Sequence, residues 1–345
     1  MKLAIEIGGL GPDNRELMVQ WVRHAERLGV DLAFSAEAWW SDAVSPLAWL
    51  ADKTERIRLA TGIMQVTART PAMTAMSALT LHDLTDGRFV LGLGASGPQV
   101  VEGLHGVPYR APLTRLRETV EICRMIFAGE KVRYEGKVHR LPLPDSEGKA
   151  IRIAHEPVDI PIYLATLGPN SLRYTGEAAN GWLGTSFSPD HPDAHLSFLK
   201  EGLEASGRTP GDLDLCVSVR VEIGEDVEAM IERRRSGVAF NMGGMGSAST
   251  NFYNDAFKRA GYEDDAVAIQ RLWLDGRREE AARRVPDAMV TEFQALGTPE
   301  MVRDRLARYR EVGVTTVKLG LDSAPMGPAR FELLEQIVDL SREDA

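Results

Sequence analysis

Short β-prone runs alternate with longer helical patterns from the first residues onward, and this alternation restricts the fold more than any other feature of the chain. Residues 3–7, 30–35, 57–64 and 88–93 read as strands, and 15–28, 46–54 and 72–84 read as the helices between them. Gly29 stands at a suitable C-cap position, and Asp86-Gly87 turns the chain into the fourth strand. Strands separated by helices build βαβ units and a mainly parallel sheet. A long amphipathic helix follows over 112–128, with Leu116, Val120, Cys123 and Phe127 at helical spacing. Strand candidates at 160–165, 181–183, 213–219 and 316–319 bring the count to eight, with helices at 170–179, 192–206, 226–240 and 299–312, and a closing helix over 328–341. The expectation is an α/β fold, one (β/α)8 TIM barrel over residues 1–345, since such barrels routinely exceed ordinary domain size. Two segments depart from the pattern. Residues 130–158 begin as a small hairpin with its turn at Glu135-Gly136, and 243–290 combine a Gly/Ser/Asn-rich loop with helical patterns around 266–274 and 278–284; the second reads as a lid or partner surface.

The net charge of −10 argues against nucleic acid as a partner, because phosphate backbones are held by clustered Lys and Arg. The cluster Arg233, Arg234, Arg235 lies among acids in a helical stretch and reads as a solvated face. Cys123 and Cys216, far apart and flanked by apolar residues, provide neither a disulfide framework nor a CxxC metal site. The N-terminus turns polar too early for a secretory signal, and no run approaches a membrane span, so the expectation is a cytoplasmic protein with no membrane partner.

Gly92-Leu93-Gly94-Ala95-Ser96-Gly97 fits GxGxxG behind a strand, yet a dinucleotide fold would need a long helix at once and an acid about 20 residues on. Pro98 and a Gly-rich loop follow instead, and Glu118 falls in mid-helix. The glycines still signal backbone lying close to a ligand or to another chain segment. In Ala165-Thr166-Leu167-Gly168-Pro169-Asn170-Ser171 a strand enters a helix; its start could hold a phosphate on backbone N–H groups, or Asn170 and Ser171 could simply cap it. Glu6, Glu37 and Gln65 fall at the C-terminal ends of the first three strands, where barrels place their chemistry. Glu37 precedes Trp39 and Trp40, and a carboxylate beside indoles would suit general-acid work; pairing with an Arg is the alternative. His191 and His195 stand four apart in a helix read as a polar surface, without the glutamate of HExxH, so no metal is expected there. His105 sits in the loop after the fourth strand. No GxSxG, Walker A or DxDxDG motif occurs.

Several segments in order resemble the luciferase-like monooxygenase superfamily, in its branch using the deazaflavin coenzyme F420. They are Thr61-Gly62-Ile63 with Ala68-Arg69-Thr70-Pro71-Ala72, Leu84-Thr85-Asp86-Gly87-Arg88-Phe89, Gly92-Leu93-Gly94, and Ser96 through Gly103. Asp159-Ile160-Pro161-Ile162-Tyr163-Leu164, Asn180-Gly181-Trp182, Gly243-Gly244-Met245-Gly246, Asn251-Phe252-Tyr253 and Val285-Pro286-Asp287 continue them. The resemblance, closest in style to the methylene-tetrahydromethanopterin reductases, implies a bacterial luciferase-like barrel with the deazaflavin at its C-terminal rim. It implies a non-prolyl cis peptide between Gly62 and Ile63, in a bulge that backs the ring. It further implies cofactor contacts from Gly62, Ile63, Gln65, Gly94, Ser96 and Gln99, and a phosphate near Leu167, Gly168, Pro169, Asn170 and Ser171. By position Glu37 and Glu6 resemble the family's acids. Ala38 replaces the His that alcohol and sugar-phosphate dehydrogenases carry after the first acid, and Asn170 replaces a common Lys.

The resulting expectation is hydride transfer between F420 and a small organic substrate, with Glu37 as first and Glu6 as second proton donor, and Trp39, Trp40 and His105 on the substrate side. The alternatives are an FMN-dependent monooxygenase on the same barrel, which would activate oxygen, and a non-catalytic deazaflavin-binding protein. Family habit suggests a homodimer.

Overall fold

The computed structural model describes residues 1–8, 11 and 13–342. Eight parallel strands form the barrel: β1 (Lys2–Glu6), β2 (Leu32–Ser35), β3 (Arg58–Thr61), β4 (Phe89–Gly94), β5 (Ile162–Ala165), β6 (Gly181–Gly184), β7 (Asp214–Ile223) and β8 (Thr316–Gly320). Neighbours in sequence pair in register, and β1 pairs with β8 from Lys2 opposite Thr316 to Ile5 opposite Leu319, which closes the ring. The structure is the (β/α)8 barrel expected from the alternation.

Side-chain alternation sorts each strand between two cores. Leu3, Ile5 and Ile7 point outward into the layer shared with the helices, whereas Ala4, Leu32, Phe34, Ala60, Val90, Tyr163 and Cys216 fill the barrel. A polar plug closes its lower end. Tyr163 donates its hydroxyl hydrogen to Asp214 Oδ2 at 2.5 Å, and Thr316 donates to Asp214 Oδ1 at 2.9 Å. The filling leaves the C-terminal end of the strands as the mouth. Two outer helices, Pro71–Leu84 and Pro299–Glu311, begin on a threonine cap followed by proline: Met73 N–H donates to Thr70 Oγ1 and Met301 N–H to Thr298 Oγ1.

Several local expectations are corrected. The segment after Gly97 is a short helix, Pro98–Gly103, begun by proline at its first turn. The hairpin pairs Tyr134–Glu135 with Arg140–Leu141, and its turn lies beyond Gly136. Buried Glu118 sets that register by accepting N–H bonds from Lys137, Val138 and His139. A Cβ at Gly136 would meet the Glu118 carboxylate at 2.5 Å, so glycine is required there. A strand not anticipated, Ala295–Gly297, pairs with the end of β7. Arg234 and Arg235 are not solvated: Arg234 bridges Glu222 and Asp322, each at 3.0 Å, and Arg235 pairs with Asp287.

Segment 243–290 holds more helix than expected, including Phe252–Phe257, Glu263–Leu274, Arg278–Arg283 and the start of Asp287–Thr291. With the helix Val227–Gly243 it builds its own apolar cluster around Met242, Phe257, Ile269, Met289 and Phe293. Asn251 ties the cluster's loop down, donating to Asn241 and Met242 carbonyls and accepting from Tyr253 and Asn254 N–H. No helix among the described residues is long and apolar enough to cross a membrane.

Candidate active site

The third strand breaks at its C-terminal end. After β3 the chain passes through a cis peptide between Gly62 and Ile63 and resumes with Met64–Gln65, which pair with Leu93 and Gly94 of β4. The neighbouring strand makes room for this bulge. A Cβ at Gly92 would stand 1.9 Å from the Thr61 carbonyl oxygen, and one at Gly94 would stand 2.5 Å from the Ile63 side chain. Thr61 Oγ1 clamps the crossing by accepting from Gly92 N–H and donating to Gly92 O, both at 2.8 Å. The first two glycines of the GxGxxG pattern thus serve close approach of a second chain segment.

Glu37, just past β2, is drawn into the bulge. Its two carboxylate oxygens meet the two terminal nitrogens of Arg69 at 2.7 Å each, and they also accept N–H bonds from Gln65 and Ala43 at 3.2 Å. The side chain is 8% exposed. Its surroundings are therefore an arginine fork and backbone donors, while Trp39 and Trp40 stand edge to face with one another and exposed. Gln65 donates to the Glu37 carbonyl at 3.0 Å, and its own Oε1 is buried without a partner.

Glu6 occupies the opposite side of the mouth. Its carboxylate Oε1 lies 2.9 Å from Nζ of Lys318, on the adjacent β8, and its side chain is 57% exposed. Lys318 holds the Glu6 carboxyl below the usual range, against the opposing pull of burial within the mouth. Burial lowers the Lys318 pKa, and the Glu6 carboxylate outweighs that and raises it. Tyr253, from the 243–290 segment, reaches the same lysine electrostatically, its phenol pushed up by burial. Sequence reasoning missed Lys318. The available signal was a lysine inside an apolar strand, Thr316-Val317-Lys318-Leu319-Gly320, at a position whose alternation points inward.

At the end of β5, Gly168 precedes the helix Pro169–Ala178 without a side-chain cap. Ser171 donates its hydroxyl to the Gly168 carbonyl at 2.9 Å, and Asn170 accepts from Arg173 at 3.1 Å. The first-turn N–H groups are left as donors that no helical carbonyl satisfies. Arg259 of the 243–290 segment donates to Leu167 O at 2.6 Å and to Ala194 O at 3.1 Å, fastening that segment beside the turn. Ser96 adopts a left-handed φ of 59°, and Tyr109 donates to its carbonyl at 3.0 Å. Gln99 and His105 are exposed.

His195 is corrected from a surface residue to a buried one. It packs against Trp182 and Phe187 with neither ring nitrogen partnered, and burial, with Arg259 nearby, drives its pKa down to about 3. His191 pairs instead with Glu292 at 2.9 Å. Among the described residues no group of three or more potential ligands could hold a metal ion.

The family model for luciferase-like monooxygenases matches residues 6–316. A protein of Mycobacterium tuberculosis named as a coenzyme F420-dependent oxidoreductase is 38% identical over 333 residues, covering 94% of this chain and 96% of its own. The 5,10-methylenetetrahydromethanopterin reductase of Archaeoglobus fulgidus is 28% identical over 344 residues, covering 98% and 97%. The solved coenzyme F420-dependent tetrahydromethanopterin reductase of Methanopyrus kandleri superposes with a TM-score of 0.78 at 26% identity, over 98% of this chain and 97% of that one. The chain therefore belongs to the luciferase-like monooxygenase family, on the side where similar proteins are named as F420-dependent oxidoreductases and reductases.

Proposed function

We propose that this protein is a coenzyme F420-dependent oxidoreductase that moves a hydride between the deazaflavin and a small organic molecule. The observation that carries this reading is the cradle at the mouth: the Gly62–Ile63 bulge and the glycines of β4 that admit it, with Glu37, Arg69 and Gln65 tied to the bulge. A flat shelf at the strand ends fits a tricyclic ring. When bound, the deazaflavin supplies the hydride chemistry at its ring carbon.

The chain's own residues divide the remaining work. Gly62 and Ile63 form the shelf; Gln65, Gly94, Ser96 and Gln99 border it; and Leu167, Gly168, Pro169, Asn170 and Ser171 offer helix-start N–H groups to a phosphate without a lysine. Trp39, Trp40 and His105 shape the substrate side. For the proton, the geometry favours Glu6 over Glu37: the Glu6 carboxylate opens onto the mouth with one partner among the described residues, whereas Glu37 is held by Arg69 and two backbone donors and anchors the bulge. The reading includes a cytoplasmic homodimer; the two buried free thiols and the exposed Met73, Met76 and Leu84 on one outer helix are compatible with it. Titrating the protein with coenzyme F420 and, separately, with FMN while following tryptophan fluorescence tests the assignment. Saturable quenching by F420 alone supports it, and saturable quenching by FMN alone overturns it in favour of oxygen chemistry.

A further inference from the structure

The hydride reading leaves unexplained why an ammonium group is buried in the wall of the mouth. Lys318 projects from β8 into the barrel with a side chain 15% exposed, its Nζ 2.9 Å from Glu6 Oε1 and 5.7 Å from the centre of the Phe34 ring. Stability does not account for it, because replacing a buried ion pair by apolar groups of similar volume is often neutral or stabilising. Its place does suggest a role: Glu6 ends β1 at the rim where a barrel carries out its chemistry, and Lys318, facing inward from the middle of the adjacent β8 opposite Ala4, reaches up to it. Trp21 donates to the Glu6 carbonyl at 3.0 Å, but among the described residues only Lys318 donates to its carboxylate.

We propose that Lys318 is a positioning residue for Glu6: its ammonium fixes Oε1 and leaves Oε2 as the oxygen that exchanges a proton at the mouth. The inference rests on the hydride-transfer reading, and it assigns that reading's proton to a particular oxygen. In the direction of substrate oxidation, the proton of the substrate's heteroatom–hydrogen bond goes to Oε2, and a bound oxidised deazaflavin would supply the acceptor for the hydride lost from the neighbouring carbon. Glu6 then returns the proton to solvent through its exposed side. In the reducing direction, a solvent proton reaches Oε2 first and passes to the substrate, to which a bound reduced deazaflavin would supply the hydride.

The charged groups around the pair are consistent with this. Arg220 on β7, itself paired with Asp322, adds to the pull on Glu6, and Arg330 of the closing helix lies within its field. Cys216 and Tyr253, the other titratable groups near Lys318, are both pushed up by burial and stay neutral, so Glu6 is the anion the lysine answers.

The test follows the Glu6 carboxyl carbon by NMR in protein labelled with ¹³C-carboxyl glutamate, assigning the signal by its loss in Glu6→Gln. Titrations of wild type, Lys318→Met and Lys318→Arg are run beside coenzyme F420 binding by fluorescence. With the lysine's attraction gone, burial is left to act and the Glu6 midpoint should rise by about one pH unit or more in Lys318→Met. Lys318→Arg should hold it near wild type, and both variants should bind F420 within about twofold of wild type, a change worth under 0.5 kcal/mol. If Lys318→Met does not fold, Lys318→Gln carries the same expectation. An unchanged midpoint in a folded charge-free variant overturns the inference while F420 binding still supports the proposed function. Failure of wild type to bind F420 instead overturns the proposed function, whatever the midpoints do.

Discussion

Two carboxylates stand at the rim of this barrel, each beside a cation, and their surroundings differ in kind. Glu37, 8% exposed, has four contacts from Arg69, Gln65 and Ala43 and is part of the bulge's framework. The Glu6 side chain, 57% exposed, has one partner among the described residues and a second oxygen left open. A carboxylate whose lone pairs are filled by fixed donors can hold a backbone in an unusual path, and one held at a single oxygen can exchange a proton. Proximity to a strand end therefore does not decide an acid's role; the number and rigidity of its partners does.

The sharpest way to break the comparison is to remove the bulge on which Glu37 depends. Gly92→Ala places a methyl group against the Thr61 carbonyl and should cost about 4 kcal/mol or more, with F420 binding lost in whatever folds. Urea unfolding and fluorescence titration read the two effects. Next, Glu37→Gln leaves the Arg69 guanidinium, 18% exposed, without its counter-ion and should destabilise by about 3 kcal/mol. Glu6→Gln also leaves a buried cation, Lys318 at 15% exposed, without its counter-ion, but it removes one contact rather than four and a lysine can shed its proton where an arginine cannot, so it should cost less, about 1 to 2 kcal/mol in the same assay. Equal costs for the two would erase the distinction.

A buried polar group with no partner at all extends the series. His195 has a folded pKa of about 3, below its unfolded value near 6.5, so the unfolded chain takes up the proton first. Stability is then complete above about pH 6.5 and falls as pH drops toward 3, by about 2 kcal/mol at pH 5. His195→Phe should flatten that slope, measured by urea unfolding at several pH values. An unchanged slope would mean other groups set it. The smallest effect belongs to the exposed indoles: Trp39→Ala and Trp40→Ala should each shift stability by about 0.5 kcal/mol or less, read by thermal unfolding.

The barrel was legible in the sequence because strand and helix periods are local, and every barrel strand lies within a residue or a few of its expected place. The site was legible only in part. That Gly92 and Gly94 mark a close approach could be read from composition, but not what approaches, because the bulge crosses from about 30 residues earlier. The partner of Glu37 stood in a quoted motif, Ala68-Arg69-Thr70, yet only the crossing brings Arg69 to it. Lys318 looked like one lysine in a short strand until barrel closure set β8 beside β1. His195 read as polar from its neighbours in sequence, whereas its neighbours in space are Trp182 and Phe187.

A crystal structure of the protein with coenzyme F420 tests the central claim most directly. The account predicts the ring lying on Gly62 and Ile63, a phosphate at the start of the helix Pro169–Ala178, and Glu6 facing the ring across open space for a substrate. A coenzyme bound elsewhere, or a ring held away from the bulge with Glu6 outside its reach, would contradict it.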